Sequence, residues 1–147
     1  MRVSTRGRYG LRILMDVALH QDKGPVALRD ISERQAISQK YLWQVINPLK
    51  SAGLVNSIRG ARGGFVLARP PEEISVRDIV AILEGAVSVV ACVKSPGTCK
   101  RSPSCTAREA WTEIENKLND AMRGITLKQL VDRERERAGN LPETYMI

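Results

Sequence analysis

The 147-residue sequence predicts a mainly α fold with one short β-hairpin and a long C-terminal helix. Three observations carry that prediction. Apolar residues recur at helical spacing through most of the chain. One stretch, flanking three glycines within Arg59–Gly64, switches to an extended pattern. Late in the chain, Trp111, Ile114, Leu118, Ala121 and Ile125 form a single long apolar stripe.

The elements follow in order. Tyr9 to His20 carries Leu11, Leu14, Met15 and Ala18 on one face, and Gly24-Pro25 breaks the pattern. Leu28 to Gln35 reads as a short second helix, offering Leu28, Ile31 and Ala36 to a core. Ala36-Ile37-Ser38 reads as a tight turn, with Ser38 as an N-cap. A third helix places Leu42, Val45, Ile46 and Leu49 on one face, with Pro48 near its end and Gly53 as the capping glycine. Leu54–Ile58 and Phe65–Leu67 are strand candidates around the glycine-rich turn. Ser75 to Asp78 has the form of a capping box, with Ile74 and Ile79 as a staple, and Gly85 ends that helix. Residues 86–104 read mostly as a loop, interrupted by Pro96, Gly97 and Pro103. A long helix starts near Ser104; about 20 helical residues span about 30 Å. Its stripe lies outside the first core and needs a partner surface, most simply a second copy. Thr126 to Gln129 restarts a short helix, and Asp132–Arg137 reads as a charged, solvated tail.

Helix, helix, turn, helix, hairpin is the order of a winged helix-turn-helix, whose third helix enters the major groove. Charge agrees with that reading. Residues 1–69 hold 12 Lys+Arg against 4 Asp+Glu, a balance of +8, while residues 70–147 hold 11 against 12. The net charge of +7 favours an anionic partner, and an aromatic content of 4% is low for base stacking on single strands. The exposed face of the third helix would carry Gln39, Lys40, Tyr41 and Gln44 behind Ser38. Amide side chains pair with adenine, and Lys reaches guanine or phosphate. Arg59 and Arg62 flank the turn at Gly60, where Arg on a slim tip suits a narrow minor groove. Arg2, Arg6 and Arg8 are candidates for phosphates.

The second half holds all three cysteines, Cys92, Cys99 and Cys105, spaced C-x6-C-x5-C in one irregular stretch. Clustered thiols suit an iron–sulfur cluster or zinc, both of which usually take four ligands. Glu109 or a group from another subunit is a candidate fourth; His20, the one histidine, is remote in sequence. The competing reading is three ordinary, redox-reactive thiols. Three organisational units are expected: 1–85 for DNA, 86–104 as a sensor loop, and 105–147 as dimerisation helix and tail. No C-x-x-C, nucleotide-binding glycine pattern or acid–base pair points to an enzyme. No apolar run approaches a membrane span, and the N-terminus lacks a signal-peptide core, so a cytoplasmic protein is expected.

These residues also carry a resemblance. Ser4–Gly10, Ile37-Ser38, Tyr41-Leu42, Gln44, Leu54-Val55, Ser57–Gly60, Gly63–Phe65 and Thr126-Leu127 with Leu130 occur in an order that resembles the IscR/NsrR/CymR family of bacterial winged-helix transcription regulators. The cysteines sit where the IscR branch has its cluster ligands, and Tyr145-Met146-Ile147 is closer to the CymR branch. The resemblance implies a homodimer with a long crossed helix and a palindromic operator on double-stranded DNA. It implies an iron–sulfur cluster, 2Fe-2S or 4Fe-4S, that controls DNA affinity, and contacts from Lys40, Tyr41, Gln44 and Arg59. The expected role is a repressor sensing iron–sulfur or redox status and controlling cluster assembly or cysteine metabolism genes. The alternative is a cluster-free regulator of cysteine metabolism, answering to a cysteine-biosynthesis enzyme or to thiol oxidation. The chain departs from the family at four points. Arg108 stands where the IscR branch has a ligating His, and Arg8 where the NsrR branch has an Asp. A guanidinium has no acceptor and cannot ligate. Trp43 replaces a Glu, and the first cysteine gap is one residue longer. The fourth ligand stays unassigned.

Overall fold

A computed structural model describes residues 2–140. The order is α1 (Thr5–His20), α2 (Leu28–Gln35), α3 (Gln39–Ser51), β1 (Val55–Ile58), β2 (Gly64–Leu67), α4 (Val76–Glu84), α5 (Ala91–Lys94), α6 (Thr106–Arg123) and α7 (Leu127–Gly139). Short 3-10 turns occupy Gln21–Lys23, Pro71–Glu73, Pro96–Thr98 and Ser102–Ser104. The mainly helical winged fold matches the sequence expectation. The segment Tyr145–Ile147 lies outside the described residues.

One core holds the first half together. Ile13, Leu14 and Val17 of α1 meet Ile31 of α2, Leu42, Val45, Ile46 and Leu49 of α3, and Ile79 and Leu83 of α4. Each fully buried aliphatic side chain contributes about 2 kcal/mol of transfer free energy. Ser38 caps α3 by accepting from Tyr41 N at 3.2 Å. At the far end, Gly53 N donates to Lys50 O and Leu54 N to Leu49 O, both at 3.0 Å. This paired closure needs the left-handed φ of 79° that Gly53 supplies. Pro48 stays inside α3, close enough to its end to leave the helix intact.

The hairpin pairs antiparallel, with Val55 opposite Leu67 and Ile58 opposite Gly64. Val26 exchanges two backbone bonds of 2.9 Å with Phe65, which ties the wing to the segment before α2. A Cβ on Gly64 would lie 2.4 Å from Val26 O, so only glycine permits that approach.

A buried carboxylate locks α1 to α2. Asp16 is fully buried. Arg34 donates to both of its oxygens, Nε to Oδ2 at 3.0 Å and Nη2 to Oδ1 at 2.8 Å, and Gln35 adds a bond of 2.9 Å. The hydrogen-bonded Asp16 carboxylate raises the Arg34 pKa above its ordinary value.

Outside the cysteine stretch, the structure departs from the sequence reading in three places. First, α1 begins at Thr5, because Ser4 caps it and accepts from Gly7 N at 3.2 Å. Second, Ala36 is exposed rather than in the core; it takes φ 54° to close α2, and Ile37 turns inward instead. Third, the charged segment Asp132–Arg137 is part of α7. That helix is held by the Thr126–Gln129 capping box and a 2.7 Å Lys128–Asp132 pair one turn apart.

Helix α7 returns to the core through Leu127 and Val131. An isolated bridge, Ser75 to Thr126, places two capping boxes side by side, with Val76 N donating to Ile125 O at 2.9 Å and Leu127 N to Ile74 O at 2.8 Å. Arg77 of α4 donates to Asn119 of α6 at 2.9 Å. The described residues leave the outer face of α6 uncovered: Trp111 is 42% and Ile114 46% exposed. No helix among the described residues is long and apolar enough to cross a membrane.

Candidate nucleic-acid interface and cysteine loop

Helix α3 has one buried face and one exposed face, because a helix returns to the same side every three or four residues. Gln39, Lys40, Gln44 and Asn47 are exposed, as is Trp43 at 43%. Tyr41 is half-buried; its ring meets Tyr9 edge-on, centroids 5.7 Å apart. Arg12 and Arg8 lie over the Tyr9 ring at 5.2 and 5.8 Å. Arg6 reaches across from α1 and donates to Gln44 O at 3.4 Å. A groove lined by Arg6, Tyr41, Gln44, Val45 and Asn47 results. Its lining combines one cation with two side-chain amides.

The wing frames the other side of α3. Trp43 packs edge-on against Phe65, centroids 5.6 Å apart. Between helix and hairpin lies a second groove, lined by Leu28, Trp43, Lys50, Ser57, Arg59 and Gly60 among others. Arg59 and Arg62 are exposed at the hairpin tip. Arg6, Lys40, Lys50, Arg59 and Arg62 thus surround one surface, which concentrates positive potential.

Most of the residues singled out from sequence share this surface: Ser38, Gln39, Lys40, Tyr41, Gln44, Arg59, Gly60 and Arg62. Arg2 does not. It lines a separate cavity with Glu84, Gly85 and Met122, where Ser4 N also donates to the Glu84 carboxylate. Two residues on the surface were not picked out from sequence, Asn47 and Lys50. The helical period marks Asn47, one turn beyond Trp43 and two beyond Lys40, while Lys50 gains its place only from the wing folding beside it.

The cysteine stretch is a chain of short turns rather than a formless loop. Cys92 sits in α5, Cys99 follows the turn Pro96–Thr98, and Cys105 is the N-cap of α6 without donating or accepting a side-chain cap bond. All three thiols are free; Cys99 is exposed and the other two are half-buried. Arg108 Nε donates to Cys92 O at 3.0 Å, and Val89 N donates to Glu115 at 3.2 Å, so α6 anchors the segment. Glu109 is exposed on the first turn of α6, and His20 stays on α1 beside Asp16 O at 2.8 Å. Among the described residues, no three His, Cys, Asp or Glu side chains converge closely enough to hold one metal ion. The thiols therefore share one segment without forming a closed ligand set. Beside Cys99, Ser102 and Arg108 line a shallow pocket.

Comparison with known proteins agrees with this architecture. The family model described as Rrf2, iron-dependent transcriptional regulator, matches residues 3–133. The HTH-type transcriptional regulator IscR of Pectobacterium carotovorum is 38% identical over 132 residues, covering 90% of this chain and 80% of that protein. IscR of Escherichia coli is 36% identical over 134 residues, with 91% and 82% covered. Among solved structures, CymR, the global cysteine regulator of B. subtilis, superimposes with a TM-score of 0.77 at 36% identity, over 90% of this chain and 98% of that one. T. potens IscR superimposes with a TM-score of 0.77 at 34% identity, over 99% and 96%.

Proposed function

The chain belongs to the Rrf2 family of transcriptional regulators, and from that membership we propose a homodimeric repressor that reads a palindromic operator and senses iron–sulfur or redox status. The family supports DNA-binding regulation and not an enzyme. The observation that carries the finer reading is the single basic surface joining α3 to the wing. Gln39, Lys40 and Gln44 face outward on α3, and Arg59 and Arg62 project beside them. In this reading Gln44 and Lys40 reach base edges, Ser38, Tyr41 and Gly60 set the fit to the backbone, and Arg59 and Arg62 enter the minor groove. Arg2 contributes a cation at the margin. Residues 1–85 read DNA, 86–104 sense, and 105–147 dimerise. Two reading heads related by a two-fold axis would meet half-sites about 34 Å apart.

Cys92, Cys99 and Cys105 fit an iron–sulfur cluster in kind: three soft thiolate donors within one segment anchored on α6. Such a group, 2Fe-2S or 4Fe-4S, would supply a redox-sensitive crosslink between α5 and the start of α6. The chain's own part is to hold that segment against α6 through Arg108 and Glu115, and to pass its position to α4 through Arg77 and Asn119. A change of state shifts DNA affinity only by its difference in stability between the two dimer arrangements.

The test is anaerobic reconstitution with iron and sulfide, read by visible absorption, metal content and fluorescence anisotropy on an operator duplex. Expected are bound iron and sulfide and a DNA affinity that changes on cluster loss and falls steeply with salt. Absence of a cluster, with Cys92→Ala leaving DNA affinity unchanged, overturns the sensing role.

A second reading rests on the unconverged free thiols and on the likeness to a named cysteine regulator. It is a cluster-free regulator of cysteine metabolism, controlled by thiol oxidation or by a cysteine-biosynthesis enzyme. Iron-free protein whose DNA affinity responds to peroxide, or to added partner enzyme, selects it.

A further inference from the structure

We propose that Trp43, backed by Phe65 and continued by Ile58, is a specificity-determining residue that takes the 5-methyl group of a thymine in the major groove; this assignment rests on the DNA-binding reading above. Among the described residues, exposed large apolar side chains fall in three places. Val3 stands near the N-terminus, and Trp111 and Ile114 stand on α6. Trp43 and Ile58, 43% and 45% exposed, stand together in the groove between α3 and the wing. This third patch is bordered by cations, since Lys50 and Arg59 line the same groove. Its partner must therefore offer negative charge around a small apolar group. Duplex DNA does so: phosphates edge the groove, and thymine alone presents a methyl group on the major-groove side of the bases. The patch is also continuous with the basic surface of α3 and the wing, so one docked duplex covers both.

The fold fixes the indole in place. Trp43 meets Phe65 edge-on, centroids 5.6 Å apart and planes at 79°. Phe65 is itself only 3% exposed and exchanges two backbone bonds of 2.9 Å with Val26. The indole thus rests on a buried ring whose strand is tied down. Ile58 extends the patch from the wing. It sits opposite Gly64, which has no side chain to cover it. A larger residue there is barred, because a Cβ on Gly64 would lie 2.4 Å from Val26 O. Along α3, Trp43 lies one turn from Gln39, Lys40 and Asn47, exposed polar residues of the same face. A helix that lowers those side chains to the base edges carries the indole with them.

An indole offers an apolar body, one N–H donor and no acceptor. Against thymine its carbons cover the methyl group, and both apolar surfaces leave water. Against cytosine there is no methyl, and the exocyclic amino group loses water without gaining an acceptor. Trp43 therefore selects thymine over cytosine by what it buries and by what it leaves unpaired. Burial of one methyl corresponds to about fourfold in affinity.

The probe is a duplex that the wild-type protein enriches from a random pool, with each thymine replaced in turn by deoxyuridine, which lacks only the methyl. Fluorescence anisotropy reads the affinities of wild type, Trp43→Ala, Trp43→Gln and Trp43→Phe at one salt concentration. At one thymine of each half-site, deoxyuridine should weaken wild type about fourfold. Trp43→Ala and Trp43→Gln should bind the two duplexes equally, while Trp43→Phe should keep most of the preference. The log–log salt slope of Trp43→Ala should stay at the wild-type value, since an indole neutralises no phosphate. The preference is a ratio within each variant, so a partly unfolded preparation lowers both affinities alike. Wild type indifferent to every exchange for deoxyuridine overturns the assignment, as does a preference that survives intact in Trp43→Ala and Trp43→Gln. Sensitivity confined to 7-deazaguanine in place of guanine also overturns it, because the indole N–H would then be donating to N7. Altered sedimentation of Trp43→Gln with the methyl preference intact gives the patch to a protein partner instead and overturns it too. Wild type that enriches no duplex from the pool overturns the DNA-binding reading and this assignment with it.

Discussion

The Arg34–Asp16 pair shows how much one side chain can decide. Asp16 has no solvent, so its two oxygens depend on Arg34 and Gln35. Arg34→Ala should destabilise the fold by about 2–3 kcal/mol, below the usual cost of breaking a dry pair, because Arg34 is 36% exposed and Gln35 still donates. Arg34→Lys keeps the charge but loses the two-pronged fit, for about 1–2 kcal/mol. Urea unfolding of both variants checks the order. The raised pKa of Arg34 adds stability at every pH below the unfolded value and loses it only as pH rises through the folded one. The guanidinium should therefore contribute no slope to stability between pH ~6 and ~9. In the proposed reading Arg59 serves DNA rather than the fold, since its side chain is exposed at the hairpin tip. Arg59→Ala should reduce the log–log salt slope of operator binding by about 1 and leave the melting temperature unchanged. Salt titrations by anisotropy measure both.

At the scale of elements, the turn from α2 into α3 stores strain. Ala36 adopts φ 54°, a region that costs an L-residue about 1–2 kcal/mol, and its side chain is exposed. Ala36→Gly should stabilise the protein by about 0.5–1 kcal/mol, read as a higher urea midpoint at constant m. The same turn shows where sequence and structure part. Capping residues and apolar periodicity marked α2, α3 and α4 correctly, because Ser38, Ser75 and Gly85 act locally. The start of α1 was hidden, since Arg6, Gly7 and Arg8 carry no apolar stripe and glycine reads as a breaker; Gly7 and Gly10 are in fact buried helical positions. The later turns of α7 were hidden for a related reason: past Val131 the stretch to Arg137 shows only charge, held by a capping box and two ion pairs, Lys128–Asp132 and Arg135–Asp22. The α3 face of the candidate site was legible, because a helix projects its period outward. The groove beside the wing was not, because Val26 pairing with Phe65 is a contact distant in sequence.

Among the described residues the molecule has a sewn interior and a bare face on α6. Helix α6 is tied to α4 through Arg77 and Asn119 and to α7 by the chain itself, yet Trp111 and Ile114 face outward. Exposed apolar stripes of this kind mark contact surfaces. Trp111→Glu and Ile114→Glu should each weaken self-association by at least about 2 kcal/mol, through burial of an unpaired charge. Sedimentation should then report monomers with unchanged far-UV dichroism and weakened operator binding. The chain has two tryptophans, and the fold places them on different surfaces. Trp43, 43% exposed, stands between α3 and the wing; Trp111, 42% exposed, stands on the bare face of α6. Their intrinsic fluorescence is thus a pair of built-in optical channels. With Trp111→Phe, emission quenching should follow the proposed DNA surface alone. With Trp43→Phe, the remaining emission should follow the proposed subunit association, so that occupancy and assembly could be followed in one cuvette without attaching a dye.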